Sequence, residues 1–280
     1  MDRMRIAPRI LLSAIALAAL TACGGGDPDT ASITSPTATS GGKIWRPPVG
    51  TTWQWQLSGL PIDTSLDVDA YDVDLFTTTD EELATLKANG RKVICYFSAG
   101  SWEEFRPDAA DFPAVANGNP LDAPFQDELW LDIRNADVRT LMQRRLDVAA
   151  ERGCDAVEPD NVDGYTNDTG FDLTAADQLD YNRFLAAEAR VRGLSVGLKN
   201  DVDQLVDLEP DFDWALNEEC FAYDECAQYR DNFLAANKAV FHAEYVNRDR
   251  LPEVCAVTEP LGLSTLIKNI DLDAFRLPCA

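Results

Sequence analysis

Histidine is almost absent from this chain, which has a single one, His242, among 280 residues. Zinc hydrolases with several histidine ligands and most catalytic triads with a histidine base are therefore excluded. The chain also lacks a Cys-x-x-Cys pair and any Gly-x-Gly-x-x-Gly turn after a strand, which are typical of thiolate metal sites and dinucleotide sites. We expect no metal site and no cofactor, so the chemistry must rest mainly on carboxylates, amides, aromatic rings and hydroxyls.

Basic residues are scarce as well. The chain has 24 Lys and Arg against 48 Asp and Glu, which gives a formal net charge of −24. A nucleic-acid-binding protein needs a face rich in Lys and Arg, so this class is excluded. Hydrophobic residues make up 46% of the chain, which is enough for a large core and argues against wholesale disorder.

The N-terminal residues have the pattern of an export signal. An apolar run from Ile10 to Ala19 follows three arginines and is too short to span a bilayer stably; the arginines are Arg3, Arg5 and Arg9. The segment Leu20–Cys23 resembles a lipobox, in which a small residue precedes the cysteine that receives lipid. We predict that residues 1–22 are a bacterial-type lipoprotein signal peptide and that Cys23 carries the lipid. The alternative is a plain secretory signal with an incidental cysteine. We expect an exported protein, anchored to the cell envelope by this lipid alone or secreted.

The next segment, residues 23–43, is rich in Gly, Ser, Thr, Pro and Asp and has almost no large apolar side chain. Such a segment buries too little surface to offset its ordering entropy, so it is predicted to be a flexible tether. No internal repeat follows it. Residues 44–280 have the length and pattern of a single α/β domain, which we expect to act as a monomer.

Six cysteines remain after the lipid-bearing one, and an even number in an exported domain predicts disulfides. Cys220 and Cys226 are close in sequence and follow a predicted strand, so they form the first expected pair. A bond between Cys255 and Cys279 would fix the C-terminus. Cys95 and Cys154 lie in or beside apolar strands, where they would form a third bridge or remain buried thiols.

Short apolar runs alternate with amphipathic helices along the domain. Helices are predicted to begin at Thr79, Asn135 and Thr174, and each is followed by a glycine that ends it. The eight predicted strands are Trp53–Leu57, Val73–Phe76, Val93–Phe97, Asp155–Glu158, Ser195–Leu198, Asp213–Leu216, Ala239–Ala243 and Ser264–Ile267. Eight strands alternating with helices in about 235 residues predict a (β/α)8 TIM barrel. A doubly wound open sheet is the alternative.

Carboxylates and amides follow most of these strands, and in a barrel the strand ends form the active site. The richest segment is Glu158-Pro159-Asp160-Asn161-Val162-Asp163-Gly164-Tyr165. Sugar hydrolysis uses one carboxylic acid to protonate the leaving oxygen and a second carboxylate to attack the anomeric carbon or activate water. The pattern therefore favours a carboxylate-dependent glycosidase. The alternative is a set of structural ion pairs with Lys199, Arg106 and Lys268.

The sequence also resembles a known family, glycoside hydrolase family 114, over about residues 51–270. The resemblance rests on Trp53–Leu57, Tyr71–Phe76, Val93–Ser101, Trp130–Arg134, Gly153–Tyr165, Gly197–Asn200 and Asn217–Cys220. That family comprises endo-α-1,4-polygalactosaminidases and spherulin-4-like proteins. The resemblance implies a (β/α)8 barrel that cleaves α-1,4-linked galactosamine polymers.

The family's two catalytic acids would fall at Asp160 and Glu218 in this chain. By analogy with other barrel glycosidases, Asp160 is the expected nucleophile and Glu218 the expected general acid/base. Retention of configuration is expected if the two carboxyl groups lie about 5 Å apart, whereas a separation of about 6.5–9.5 Å would favour inversion. The adjacent Glu219 remains open as the second acid. Glu158 shares a strand face with Asp160, so it is either a substrate contact or a supporting partner of Asp160.

Further residues are candidates for substrate binding. Asp72, Asp74 and Glu244 would bind the substrate's ammonium groups or close a structural network. Lys199 would hold one acid ionised or form a simple salt bridge. The tyrosines Tyr96, Tyr165 and Tyr245 would line sugar subsites or pack. The remaining candidates are Asn161 and Asp163 in the segment after the fourth strand. We expect His242 to be a core histidine, and one of Trp53 and Trp55 to lie in the core.

The leading hypothesis is an endo-glycosidase that hydrolyses a cationic, galactosamine-containing polysaccharide. The alternative from another class is a non-catalytic, cell-surface carbohydrate-binding barrel, which the spherulin-4-like members of the family make plausible. A polysaccharide deacetylase is disfavoured, because these enzymes usually hold their metal with an aspartate and two histidines.

Overall fold

The computed structural model describes residues 43–279. The predicted signal peptide, its lipid-bearing Cys23 and all of the tether except Lys43 lie outside the described residues. Among the described residues, no helix combines the length and the apolar character needed to cross a bilayer.

The fold is α/β, with a curled, mostly parallel sheet and helices along one of its faces. In chain order, the strands are β1 Trp53–Gln56, β2 Ala70–Asp74, β3 Lys92–Ser98, β4 Ser101–Glu103, β5 Asn117–Pro120, β6 Glu128–Leu131, β7 Ala156–Asp160, β8 Ser195–Lys199, β9 Trp214–Glu218, β10 Val240–Glu244, β11 Ser264–Ile267 and β12 Leu277–Pro278. The main sheet has the order β1-β2-β3-β7-β8-β9-β10-β11-β12. All neighbours pair in parallel except β12, which is antiparallel to β11. The remaining strands form a small antiparallel sheet in the order β4-β6-β5.

The eight parallel strands coincide with the eight predicted runs, but the second run was placed too late. We expected Val73–Phe76, whereas β2 spans Ala70–Asp74. The reason is local: the Asp74 carboxylate accepts hydrogen bonds from the backbone N–H groups of Phe76 and Thr77, at 2.9 and 2.8 Å. This turn ends the strand before the last two residues of the predicted run.

The helices are α1 Asp80–Ala88, α2 Ala136–Glu151, α3 Ala175–Val191, α4 Leu205–Leu208 and α5 Leu251–Thr258. Capping boxes at Thr79 and Thr174 confirm two predicted helix starts, and the side chain of Asn135 caps the third. Each cap satisfies a backbone N–H that has no partner within its helix.

Two apolar clusters lie on opposite faces of the main sheet. One contains the buried faces of the helices together with residues such as Val93 and Val157 of the strands. The other, on what we call the inner face, contains Trp53, Trp55 and Trp214. We expected one of Trp53 and Trp55 in the core, but both are 1% exposed, because residues two apart on a strand point to the same face.

Gly197 also belongs to this inner packing. A Cβ atom at Gly197 would lie 2.4 Å from the ring of Trp214, which pairs with it across the sheet. Only glycine therefore allows this tryptophan to fill the interior.

Three disulfides cross-link the domain, which confirms all three candidate pairs and resolves the open question about the third. Cys95 of β3 is bonded to Cys154, just before β7. Cys220–Cys226 closes the loop that follows β9. Cys255–Cys279 joins α5 to the C-terminal segment. Disulfides persist in oxidising compartments, so the three bonds suit an exported protein.

Candidate active site

Polar side chains of the inner face gather where the parallel strands end. Alternation along each strand places them above the apolar inner cluster. They are Asp72 and Asp74 of β2, Tyr96 and Ser98 of β3, Glu158 and Asp160 of β7, Lys199 of β8 and Glu218 of β9.

Lys199 is the centre of this group. Its Nζ lies 2.7 Å from Asp160 Oδ1, 2.7 Å from Glu218 Oε2 and 3.6 Å from Glu158 Oε1. Burial disfavours the charged ammonium, but these carboxylates outweigh it and raise the pKa of Lys199 well above its usual value. Nζ also lies 5.2 Å from the centre of the Trp55 ring, within the range of a cation–π interaction.

The bridge by Lys199 sets an upper limit on the distance between the two oxygens that contact it, one from each predicted acid. Asp160 Oδ1 and Glu218 Oε2 are bound to the same nitrogen, so they lie no further apart than twice 2.7 Å. Both carboxylates remain accessible at one edge, with 16% and 24% of their side chains exposed. The site therefore presents two adjacent carboxylates to solvent above a buried cation.

Two tyrosines complete the coordination of these carboxylates. The Tyr96 hydroxyl donates to Asp160 Oδ2 at 3.0 Å, and the Tyr245 hydroxyl donates to Glu218 Oε1. Burial and the adjacent carboxylates raise the pKa of both tyrosines well above the usual value, so both remain protonated donors. With these bonds, each carboxylate accepts hydrogen bonds at both of its oxygens.

Asn161 supports Asp160 through its backbone. Its N–H donates to Asp160 Oδ1 at 2.8 Å, and its φ of +60° is a left-handed conformation that asparagine tolerates. The Asn161 side chain donates to Ser98 Oγ and Ser101 Oγ at 3.0 and 3.3 Å. Gly100 packs against this residue so closely that a Cβ atom would lie 1.7 Å from the Asn161 carbonyl oxygen.

Asp72 and Glu158 form a second layer beneath the two acids. Both are completely buried, and no other group of the described residues hydrogen-bonds to either carboxyl. The two carboxyl groups lie next to each other, which favours a proton on one of them. Burial raises the pKa of Asp72 to about 7, and it raises the pKa of Glu158 well above its usual value, with the Asp72 charge adding to the effect. This layer places one negative charge, rather than two, near Lys199.

Asp163 and Tyr165 lie in the loop after β7, beside Asp201. Burial raises the pKa of Asp163 to about 6, and the charge of Asp160 adds to it. Burial also raises the pKa of Asp201 to about 8, with the Asp163 charge adding to it, and burial together with the charge of Asp201 raises the pKa of Tyr165. Asn182 of α3 donates to Asp201 Oδ2 at 2.8 Å. The structure therefore brings Asp163 close to Asp160, with Tyr165 near Asp163 and Asp201.

Glu219 and Glu244 lie apart from the Lys199 group. Glu219 follows the last residue of β9 with a φ of +64°, and Lys199 does not contact it. Glu244 points to the helix side of β10, where Oε1 accepts from Phe221 N at 2.7 Å and lies 3.0 Å from His242 Nε2. His242 is fully buried and also bonds to Thr265, which confirms that it is a satisfied core histidine.

Asp74 is held in a structural ion pair. Arg106 Nη1 lies 2.6 Å from Asp74 Oδ2, and the same guanidinium contacts Glu103 through two nitrogens at 2.7 Å. All three side chains are buried, and burial of a charge requires such pairing. Asp74 and Glu244 both have partners within the protein, so their geometry favours a role in structural networks over binding of the substrate's ammonium groups.

Sequence reasoning missed Glu128 of β6. Its Oε2 accepts from Ser101 Oγ at 2.6 Å, and Ser101 Oγ in turn accepts from the Asn161 side chain. Burial raises the pKa of Glu128 to about 7. No local sequence signal marks this residue. Glu128 lies 29 positions after Ala99, the first residue beyond β3, so its spacing does not connect it to a strand end of the main sheet.

Two groups of described residues have the composition of a metal site, but neither offers thiolates. They are Cys220, Cys226 and His242, and Cys255, Glu259 and Cys279. All four cysteines are in disulfides, and a metal ligand must be the free thiolate.

Comparisons with known proteins bear on the family and the fold of the chain. The model of glycoside-hydrolase family GH114 matches residues 34–280. The crystal structure of Aspergillus fumigatus Ega3 in complex with galactosamine is 43% identical, with a TM-score of 0.80, over 84% of this chain and 97% of that one. The glycoside hydrolase domain of PelA from Pseudomonas aeruginosa is 14% identical, with a TM-score of 0.63, over 82% of this chain and 98% of that one, which is a likeness of fold. No curated protein matches the chain.

Proposed function

The chain belongs to glycoside-hydrolase family GH114, and from this premise we propose that it is an endo-acting hydrolase of α-1,4-linked, galactosamine-containing polysaccharide. The observation that carries the proposal is the pair of carboxylates, Asp160 and Glu218, bridged by Lys199 at the open end of the sheet. The galactosamine bound to the similar Ega3 supports the identity of the sugar.

In the proposed reaction, an Asp160 oxygen attacks the anomeric carbon while Glu218 gives its proton to the leaving glycosidic oxygen. The C–O bond to the leaving sugar breaks, and an ester between Asp160 and the remaining sugar forms. Water then attacks the same carbon and gives a proton to Glu218, which releases the sugar and regenerates the Asp160 carboxylate. Asp160 accepts hydrogen bonds from Lys199, Tyr96 and the Asn161 N–H, and these three donors orient it as the nucleophile.

The close approach of the two carboxylates supports retention of configuration. Retaining glycosidases hold their carboxyl groups about 5–5.5 Å apart, whereas inverting enzymes leave about 6.5–9.5 Å for a water molecule. The bound of twice 2.7 Å between Asp160 Oδ1 and Glu218 Oε2 falls in the shorter class. Glu218 also fits the acid role better than Glu219, because only Glu218 of the two points to the inner face.

Glu218 accepts hydrogen bonds from both Lys199 and Tyr245. A carboxyl group that donates a proton needs one of its oxygens free of such donors. Substrate binding is therefore expected to displace one donor from Glu218 before the acid step, which is consistent with catalytic contacts that change when substrate binds.

The finer architecture and location belong to the same proposal. We propose that the sheet closes as a (β/α)8 barrel, since Trp53 Nε1 of β1 donates to the Ser264 carbonyl of β11 at 2.8 Å. Arg276 Nε donates to the Trp53 carbonyl at 2.9 Å and ties the C-terminal segment to the same edge. We also propose that residues 1–22 are removed on export, that Cys23 carries the lipid and that residues 23–43 form the tether.

The proposal is tested by incubating the purified protein with a partly deacetylated α-1,4-galactosamine polymer and following the release of oligosaccharides. We expect release by the wild type, loss of release in Asp160→Asn and Glu218→Gln, and little change in the matched outer variants Asp207→Asn and Glu253→Gln. NMR of the first product tests retention, which requires the α anomer. Equal release by Asp160→Asn overturns the mechanism, and binding of polymer without release supports the non-catalytic carbohydrate-binding alternative.

A further inference from the structure

A cavity of about 320 Å³ lies between the small sheet and the loop that follows β7. We call it the Trp130 cavity, and its lining residues are Asn119, Pro120, Asp122, Trp130, Asn167 and Asp168. Trp130 belongs to one of the segments that carry the family resemblance.

The Trp130 side chain of the cavity lies on the face of the small sheet that also carries Ser101, which contacts the candidate active site. Trp130 of β6 pairs with Ser101 of β4 in antiparallel register, and directly opposed residues share one face of a sheet. Ser101 Oγ is the group that receives the Asn161 side chain at 3.3 Å. Asn161 in turn donates to Asp160. One continuous set of contacts therefore joins the wall of the cavity to the proposed nucleophile.

The lining has the groups that recognise an amino sugar. Trp130 is 8% exposed, and among the described residues its indole N–H has no hydrogen-bond partner. Aromatic side chains of this kind offer an apolar surface together with a polar N–H. Asp168 Oδ1 accepts from Asn119 Nδ2 at 3.0 Å, which orients both side chains at the rim.

The two carboxylates of the cavity lack cations. Across residues 43–279, no Lys, Arg or His forms an ion pair with Asp122 or Asp168, although many other surface aspartates have such partners. Two uncompensated negative charges beside an aromatic side chain are complementary to a protonated amine on a sugar ring. A neutral or acidic sugar would gain nothing from these carboxylates.

We propose that the Trp130 cavity is a distal subsite that binds one unacetylated galactosamine unit of the polymer, with its ammonium at Asp122 and Asp168. This inference rests on the proposed function and names a further part of the same substrate site. The subsite holds a sugar away from the cleaved bond, so it increases the affinity for long chains and leaves the chemical step unchanged. It also makes recognition depend on free amino groups at that position.

The decisive variant is the double replacement Asp122→Asn with Asp168→Asn, because both side chains are exposed and the change keeps their shape. The matched control, Asp137→Asn with Asp207→Asn, removes the same charge from exposed positions of the outer helices α2 and α4. Binding is measured by calorimetry in a Glu218→Gln background of the full chain. The probes are galactosamine oligomers of increasing length and the fully N-acetylated form of the longest.

We expect the cavity variant to bind the long amino oligomer on the order of tenfold more weakly, since the ion pairs of both carboxylates with the amino sugar are lost. The shortest oligomers and the N-acetylated oligomer should bind the cavity variant and the control equally. With active enzyme, the KM for polymer should rise while kcat stays constant.

Equal affinity of the cavity variant and the control for the long oligomer overturns the subsite, and so does an equal loss for the N-acetylated probe. No release of oligosaccharides by wild type, with length-dependent binding intact, overturns the proposed hydrolysis and keeps the subsite.

Discussion

The carboxyl groups of Asp72 and Glu158 lie next to each other beneath the candidate active site, and both are completely buried. Two buried carboxylates cannot both ionise at this distance without a large cost, so the pair holds a proton. Lys199 Nζ, 3.6 Å from Glu158 Oε1, balances the single remaining charge. The arrangement leaves the cation mainly available to Asp160 and Glu218, which are closer to it.

The shared proton makes stability depend on pH. Burial raises the pKa of Asp72 from 3.8 to about 7. Between these values the folded protein holds a proton that the unfolded chain has lost, so the free energy of unfolding falls as pH rises through this window. Asp163, Glu128 and Asp201 act in the same direction, because burial raises their pKa values too. Urea unfolding at pH 5 and pH 8 should therefore show lower stability at pH 8.

Asp72→Asn isolates the contribution of the pair. The asparagine amide donates to Glu158 without needing a proton, so the difference in unfolding free energy between pH 5 and pH 8 should shrink. Asp207→Asn, an exposed replacement on α4, should leave this difference as in the wild type. An unchanged pH dependence in Asp72→Asn contradicts the shared proton.

Lys199→Met removes the cation from the centre of the site. The variant leaves buried carboxylates uncompensated, so it should lower the unfolding free energy at neutral pH by about 3–5 kcal/mol. Residual activity should change its pH dependence relative to the wild type, since the site loses the cation that contacts both Asp160 and Glu218. Denaturant unfolding and a pH–activity profile measure the two effects. Lys238→Gln, on the outer side of the sheet, is the control, and a profile shared by both variants contradicts the role of Lys199.

Tyr245→Phe removes a donor from Glu218, and Tyr96→Phe removes one from Asp160. A hydrogen bond to a charged group contributes about 1.5–3 kcal/mol, so each variant should lower kcat on the order of 10–100-fold if the bond strengthens in the transition state. Steady-state kinetics on the polymer measure this change. Tyr71→Phe, whose hydroxyl contacts only the backbone of Leu66, should keep kcat while losing some stability.

The sequence was sufficient for the elements whose signals are local. The capping box of Thr79 and Glu82 and the apolar run of β3 each depend on a few neighbouring residues, and both are found as predicted. The proximity of Asp160 and Glu218 also followed from pattern, because parallel strands end at one edge of a sheet.

The remaining parts of the site depend on contacts that spacing does not encode. Glu128 reaches Ser101 only because a small sheet forms within the long connection from β3 to α2. Glu244 was a candidate for substrate binding, but its position in β10 turns it toward His242 and the helices. Asp74 meets Arg106, 32 residues away, inside the core. The sequence shows which residues could act in the site, whereas tertiary packing decides which groups each of them contacts.

The disulfides should separate stability from activity. In the chain-entropy model, Cys95–Cys154, with 59 positions between its ends, contributes about 4 kcal/mol, and Cys220–Cys226, with 6 positions, about 2 kcal/mol. Replacing the first pair by serine should therefore lower the unfolding free energy more. The second pair closes the loop directly after Glu218, so its replacement should lower kcat more. Denaturant unfolding and kinetics of both double variants test this reversed order, with Cys255–Cys279 as the reference pair distant from the site. The same order of loss in both measurements would contradict a positioning role for the Cys220–Cys226 loop.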